Sequence, residues 1–136
     1  MGKPNPRYSN GSRRRSLSAR VRAMGMPCHL CGLPIDYSLP GGHPLSYELD
    51  EIIPVSRGGS PTDPANVAPA HRCCNQWRGD RSMARVAAIR DAARSAYGPW
   101  RSPQAFCEAS RAVAARDKGM RASTPLRHPK RSSGAV

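Results

Sequence analysis

Two pairs of metal-ligand residues constrain this chain more than any other feature. Cys28 and Cys31 form a CxxC pair, and His71 and Cys74 form an HxxC pair 39 residues further along. Zinc prefers four thiolate or imidazole ligands in a tetrahedron, which a CxxC turn and a helical pair supply from two directions. We predict one structural zinc ion on these four residues. Cys73 is excluded, because adjacent residues on a helix point about 100° apart.

A zinc centre also fits the size and composition of the chain. With 136 residues, of which 38% are hydrophobic and 5% aromatic, the chain can form only a small core that needs further stabilisation. Its five cysteines, an odd number, favour metal ligands or buried thiols over disulfides in a reducing compartment. We expect Cys107 to be a buried helix thiol.

The charge of the chain predicts a polyanionic partner. Lysine and arginine together number 22 against 9 acids, a net charge of +13, which favours nucleic acid. The acids are concentrated in residues 36–66, where five acids accompany one base, whereas residues 1–35 hold seven bases and no acid. An acidic centre between basic flanks suits an enzyme that binds a metal ion and a phosphodiester together.

The sequence also predicts where the protein is found. Arginine or proline interrupts every apolar stretch before the roughly 18 residues that a membrane span needs. The arginines after Ser12 do not make an export signal, since Arg20 and Arg22 occupy the place of an apolar run. We expect a cytoplasmic protein without membrane partners.

The organisation of the chain is typical of an α+β protein with one small centre and helical flanks. We expect a strand near 46–53, a helical turn carrying Asn66, and helices near 72–79, 82–97 and 102–118. The predicted segments are a basic arm and helix (1–25), a zinc-stapled domain (26–81), a helical extension (82–118) and a disordered basic tail (119–136).

Between the metal-ligand pairs lies a second group of motifs. The order CxxC, LDxIIPxSxGG, DPxN and HxxCN, followed by a basic helix, resembles zinc-stapled HNH endonucleases, the ββα-metal nucleases, especially those of bacteriophages. The resemblance covers about residues 26–81. It implies a ββα-metal core with flanking helices and hydrolysis of DNA, most readily double-stranded. It also implies a role in phage genome processing or packaging, with packaging proteins as partners and the bacterial host cytoplasm as location.

The resemblance assigns catalytic roles to individual positions. Asp50 matches a carboxylate ligand of the catalytic Mg²⁺ or Mn²⁺, and Asn75 matches its second protein ligand. Asn66 matches the central N of HNH, which orders the loop and orients the general base. The zinc ion is then purely structural.

One position departs from the family pattern. The first H of HNH falls on Glu51, and a glutamate can accept a proton from water, although with less driving force than an imidazole. Glu51 could instead be a third metal ligand, with the metal activating the water. Two further alternatives are that His43 supplies the imidazole and that catalytic activity is lost.

Further residues are assigned to nucleic-acid binding or to the core. Trp77 and Trp100 are expected in the core, and His29 is expected to be exposed rather than a ligand. The alternatives to an enzyme are a non-catalytic zinc module that binds DNA or RNA and a small structural RNA-binding protein. The arginines expected to contact phosphate are Arg13, Arg14, Arg15, Arg57, Arg72, Arg78 and Arg81.

Overall fold

The computed structural model describes residues 11–121, which form a mixed α+β fold, as predicted. The described part contains four α-helices and one two-stranded sheet. The elements are α1 (Gly11–Ala23), β1 (Tyr47–Glu51), β2 (Val67–His71), α2 (Arg72–Arg78), α3 (Met83–Tyr97) and α4 (Pro103–Arg121), with 3₁₀ turns at Val55–Arg57 and Pro64–Asn66. The predicted arm 1–10 and tail residues 122–136 lie outside the described residues.

The sheet is an antiparallel pair in which Tyr47 lies opposite His71 and Glu51 opposite Val67. Sequence analysis predicted β1 but not β2, whose residues, with Pro69 at the centre, show no hydrophobic alternation. The register places the end of β2, and with it His71, beside the start of β1. It therefore brings the second metal-ligand pair to the sheet.

Helix α1 is more than a charged surface element. Leu17 and Val21 are buried in a small apolar cluster with Leu49 of β1 and Val67 of β2. The cluster attaches the basic helix to one face of the sheet. The opposite face of α1, which carries Arg13, is exposed to solvent.

Helices α3 and α4 form a hairpin over the main core. Ser82 and Ser102 cap them, each accepting a hydrogen bond from the backbone N–H three residues later. Val86, Ile89 and Phe106 are fully buried in one cluster with the cysteines of the metal-ligand pairs. The extension thus shares a core with the segment that carries the metal-ligand pairs. Helix α4 continues to Arg121, beyond the predicted end at 118.

The tryptophans belong to this core, as predicted. Trp77 is buried and packs edge-on against Phe106, with ring centroids 5.2 Å apart. Trp100 is half-buried, packs on the same phenylalanine and donates from its indole N–H to the carbonyl of Cys31 at 2.8 Å. Within residues 11–121, no helix has the length and apolar character needed to cross a membrane.

Candidate metal centre and acidic pocket

The four predicted zinc ligands meet at one buried point. The ligand atoms of Cys28, Cys31, His71 and Cys74 all lie within 4.8 Å of one another, and each side chain is buried. The His71 Nε2–H donates to the carbonyl of Pro34 at 2.9 Å, which leaves Nδ1, 3.4 Å from the Cys31 Sγ, to face the thiols. Three thiols and one imidazole are a donor set that zinc prefers, so these residues could hold it.

Local structure explains this convergence. The CxxC turn is closed by a hydrogen bond from the Gly32 N–H to the Cys28 carbonyl at 2.8 Å. On the other side, His71 is the last residue of β2 and Cys74 lies in the first turn of α2. The strand-to-helix junction and the turn therefore each supply two ligands.

Contacts within the cluster shift the pKa values of three of its members. Hydrogen bonds from the side chains of Cys31 and Cys74 hold the pKa of Cys28 well below its ordinary value. Burial lowers the pKa of His71, but hydrogen bonds with Cys28 and Cys31, and their charges, raise it to about 10. The pKa of Cys74 is raised, first by its contact with Cys107 and then by Cys28 and Cys31. A divalent cation would favour deprotonation of all the ligands.

Cys107 approaches this centre, which sequence analysis did not foresee. It is buried on α4, as predicted, and its sulfur lies within 4.8 Å of those of Cys73 and Cys74. Burial, followed by the charge of Cys107, raises the pKa of Cys73 to about 11. Helix α4 thus packs a thiol directly against a metal-ligand residue.

Beside the metal centre lies an acidic pocket of about 540 Å³. Three of the four residues expected to be catalytic, Asp50, Glu51 and Asn75, line it together with Asp80, whereas Asn66 does not. Its other lining residues are Pro54, Val55, Ser56 and Gly79. Asp50 and Glu51 come from the end of β1, whereas Asn75 comes from α2.

Asp50 is held by two donors that converge on one oxygen. The Arg78 Nη1 lies 2.6 Å from the Asp50 Oδ2, and the His29 Nε2 lies 2.7 Å from that same atom. Arg78 also donates to the carbonyls of Glu51 and Ile52. Among the described residues, the other carboxylate oxygen of Asp50, Oδ1, has no hydrogen-bond partner, so it is the oxygen available to a ligand.

Two predictions are corrected by this arrangement. His29 was expected to be exposed, yet its side chain is only 16% exposed and contacts Asp50. Arg78 was expected to contact phosphate, yet it has no exposed surface. Both side chains are drawn inward because a buried carboxylate needs cationic or hydrogen-bonding partners.

Glu51 pairs with Arg14 of α1. Its side chain is 3% exposed, and its Oε1 lies 3.4 Å from the Arg14 Nη1. Arg14 also donates to the carbonyls of Leu49 and Pro61, at 3.0 and 2.9 Å. Arg14, expected as a phosphate contact, thus connects α1, β1 and the loop after it.

Asn75 connects the acidic pocket to a second cavity. Its amide Nδ2 donates to the Glu48 Oε1 at 3.0 Å, which leaves the amide oxygen as its potential ligand atom. Glu48 also pairs with Arg72, with 2.9 Å between the Arg72 Nη1 and the Glu48 Oε2. The second cavity, lined by Asn75 and Glu48, is bordered by Arg14 and Arg15 of α1.

Asn66 fastens the loop that follows β1. Its buried amide accepts from the Ile53 N–H at 2.9 Å and donates to the carbonyls of Ile53 and Ser60 at 3.0 and 2.9 Å. Gly59 permits this close approach, because a Cβ there would lie 1.7 Å from the Ile53 carbonyl oxygen. The loop-ordering part of the expectation for Asn66 agrees with these contacts.

The remaining predicted residues lie at differing depths. Arg13, Arg15 and Arg57 are exposed, whereas Arg72 and Arg81 are half-buried. Arg57 donates to the Asp80 carbonyl at 2.8 Å and so borders the acidic pocket. His43 lies on an exposed turn, where its Nδ1 accepts from the Leu45 N–H, and it does not line the pocket.

Two elements, β1 and α2, bring oxygen donors to the acidic pocket. Asp50 offers Oδ1 and Asn75 its amide oxygen, and Mg²⁺ and Mn²⁺ prefer such ligands with water completing the coordination. Among the described residues, the three acids of the pocket do not bring their oxygen atoms within 4.8 Å of one another, unlike the ligand atoms of the metal centre.

The chain matches no protein-family model, no curated protein and no solved structure.

Proposed function

We propose that this protein is a metal-dependent endonuclease with an HNH-type ββα-metal centre that hydrolyses phosphodiester bonds in double-stranded DNA. The observation that carries the proposal is the meeting of Asp50, Glu51 and Asn75 at one pocket, next to a cluster suited to structural zinc. These three residues come from two separate parts of the chain, β1 and α2. A shared cavity is what a common catalytic role requires.

In this proposal each residue has a distinct task. Asp50 and Asn75 would hold Mg²⁺ or Mn²⁺, and when bound this ion would stabilise charge that develops on the phosphate oxygens. Glu51 accepts a proton from the attacking water at its carboxylate, and Asn66 keeps the adjoining loop in place. Four cysteine and histidine side chains hold zinc, which fixes the turn and the helix relative to each other.

The basic surfaces supply the substrate contacts of the proposal. Exposed Arg57 borders the acidic pocket beside Asp80, exposed Arg15 borders the second cavity, and exposed Arg13 adds positive charge on α1. A duplex carries a phosphate charge about every 1.7 Å of its axis, so such arginines favour binding. Phage genome processing or packaging, in the bacterial host cytoplasm, remains the proposed setting.

A second candidate function is a non-catalytic zinc module that binds DNA or RNA. Its support is that cations already accompany two of the three acids of the pocket, Arg78 beside Asp50 and Arg14 near Glu51. This internal pairing weakens the attraction of the pocket for a divalent ion. The two functions therefore differ in divalent-metal dependence rather than in nucleic-acid binding.

A plasmid-nicking assay with Mn²⁺, Mg²⁺ and chelator controls tests the proposal. If Glu51 accepts the proton, Glu51→Gln lowers cleavage about 10² to 10⁴-fold with unchanged DNA binding, since it keeps shape but loses basicity. Glu51→His restores the family residue and should retain or raise activity near pH 7. If Glu51 were a metal ligand, added Mn²⁺ would instead restore much of the rate lost in Glu51→Gln.

The control for this assay is Glu108→Gln, which removes an exposed acid from α4 away from the pocket. It should leave cleavage unchanged. A wild-type protein that binds DNA but never nicks it, together with an inactive Glu51→His, would refute the enzyme and favour the binding module.

A further inference from the structure

One imidazole that reaches the acidic pocket comes from the CxxC turn. His29 lies between Cys28 and Cys31, and its backbone N–H donates to the Pro69 carbonyl of β2 at 2.9 Å. Its Nε2 lies 2.7 Å from the Asp50 Oδ2, and since a carboxylate only accepts, Nε2 donates. One residue thus connects the zinc-ligand turn to the carboxylate of β1.

The second donor to the same oxygen reaches it from a different element. The Arg78 Nη1 from α2 lies 2.6 Å from the Asp50 Oδ2. A carboxylate with one donor can still turn about its terminal torsion, which is broad in aspartate, whereas two donors on separate elements restrict that rotation. His29 and Arg78 together therefore fix Oδ2 and leave Oδ1 for a ligand.

The position of His29 depends on the metal-ligand turn. Both neighbouring cysteines are buried members of the four-residue cluster, and the Cys31 N–H points to the Cys28 Sγ at 3.5 Å. A zinc ion would fix these sulfurs, and with them the backbone that carries His29. Without zinc the CxxC turn would lose the ion that holds its two sulfurs. The segment 33–43 that follows has no regular secondary structure that could hold the turn in place instead.

We propose that His29 is a positioning residue that transmits zinc binding to Asp50, so that an occupied zinc site sets the affinity of the pocket for its divalent ion. This inference rests on the proposed function for the role of that ion. It adds that the zinc site controls the second metal site through one side chain. In sequence, His29 is indistinguishable from an exposed residue of the CxxC turn, and only the contact with Asp50 reveals this role.

The test compares two substitutions that differ in hydrogen bonding. His29→Phe fills a similar volume but removes the donor, whereas His29→Gln retains an N–H group. Partners that orient metal ligands typically change metal affinity or activity about 10- to 100-fold when mutated. We expect His29→Phe to lower the affinity for Mn²⁺ by this factor, as measured by electron paramagnetic resonance. His29→Gln should lower it less.

Two further measurements separate positioning from a merely structural effect. Zinc content should remain one per chain in both variants, and excess Mn²⁺ should restore nicking by His29→Phe. His43→Ala is the matched control, since it removes an exposed histidine that does not line the pocket, and it should behave as wild type. If His29→Phe loses zinc, His29→Ala replaces it.

The outcomes distinguish this inference from the proposed function. Suppose that wild-type protein binds Mn²⁺ and nicks DNA, and that the zinc-loaded His29→Phe or His29→Ala variant binds Mn²⁺ as tightly as wild type. This result overturns the inference but not the proposed function. Wild-type protein that neither binds Mn²⁺ nor nicks DNA overturns the proposed function, and the inference with it. Loss of zinc in all His29 variants, including His29→Gln, assigns the residue to zinc-site folding and also overturns the inference.

Discussion

The metal centre and the acidic pocket are neighbours, yet they are built in opposite ways. In the metal centre, four side chains turn their ligand atoms toward one point within 4.8 Å of one another. In the acidic pocket, Asp50 and Glu51 are accompanied by different cations, Asp50 by Arg78 and Glu51 by Arg14. The first site is organised for one ion, whereas the second is organised as a set of largely buried ion pairs.

The difference follows from the chemistry of the donors. Thiols and an imidazole tolerate burial together, because a thiol is a small, mostly apolar group and the imidazole of His71 hydrogen-bonds with the thiols of Cys31 and Cys74. Carboxylates do not, so each buried acid of the pocket requires a nearby cation. A metal site made from carboxylates therefore needs cationic partners, and these partners also affect its affinity for a metal ion. The zinc site should consequently be insensitive to changes in the pocket, whereas the pocket should depend on the zinc site.

The largest effect is expected from Cys74→Ser, which removes one ligand of the metal centre. Structural zinc in small domains contributes apparent binding free energies of about 10 to 16 kcal/mol, so the variant should lose zinc and cooperative thermal unfolding. Elemental analysis and circular dichroism measure both. Cys73→Ser, one residue earlier on α2, is the control and should keep one zinc per chain. Native protein without zinc, or circular dichroism unchanged by strong chelation, would contradict the prediction.

The next largest effect concerns the buried ion pair of the pocket. Asp50→Ala leaves the fully buried Arg78 without its carboxylate, and such a change typically lowers the free energy of unfolding by about 3 to 5 kcal/mol. Chemical denaturation of the zinc-loaded protein measures this. The matched control is Glu48→Gln, which breaks the partly exposed pair with Arg72 and should cost at most about 1 kcal/mol.

Equal losses of unfolding free energy in these two variants would mean that the ion pair of the pocket contributes no more to stability than an ion pair at the protein surface. A greater cost for Asp50→Ala with zinc retained would support a pocket that is stabilised separately from the metal centre. Under the proposed function, the same variant should also abolish nicking.

The smallest effect is expected at the exposed rim of the second cavity. Arg15→Gln removes one positive charge beside Asn75 and Glu48, so the slope of log K against log salt for duplex binding should flatten by about 0.9. Fluorescence anisotropy at several salt concentrations measures the slope. Arg101→Gln removes an equally exposed charge from the loop before α4 and should leave the slope unchanged. Identical slopes for Arg15→Gln and wild type would remove this cavity from the proposed DNA-binding surface.

Local sequence was sufficient for the metal centre and most helices. The spacing of the cysteines and His71 is short within each pair, and helix geometry determines where residues three apart point. Ser82 and Ser102 act through bonds to residues three positions later, so they too are local signals. The pairing of β1 with β2 was not local, and Pro69 concealed the second strand.

What tertiary structure alone decided is how the charged residues are used. Arg14 and Arg78 resemble phosphate contacts in a chain of net charge +13, and nothing in their neighbours distinguishes them from Arg13 and Arg15. Folding buried Asp50 and Glu51, and the cost of desolvating a carboxylate then drew Arg14, Arg78 and His29 inward from distant positions. The sequence by itself determined which atoms could bind a metal ion. Long-range packing decided which acids, cations and imidazoles meet, because those contacts join residues 21 to 37 positions apart.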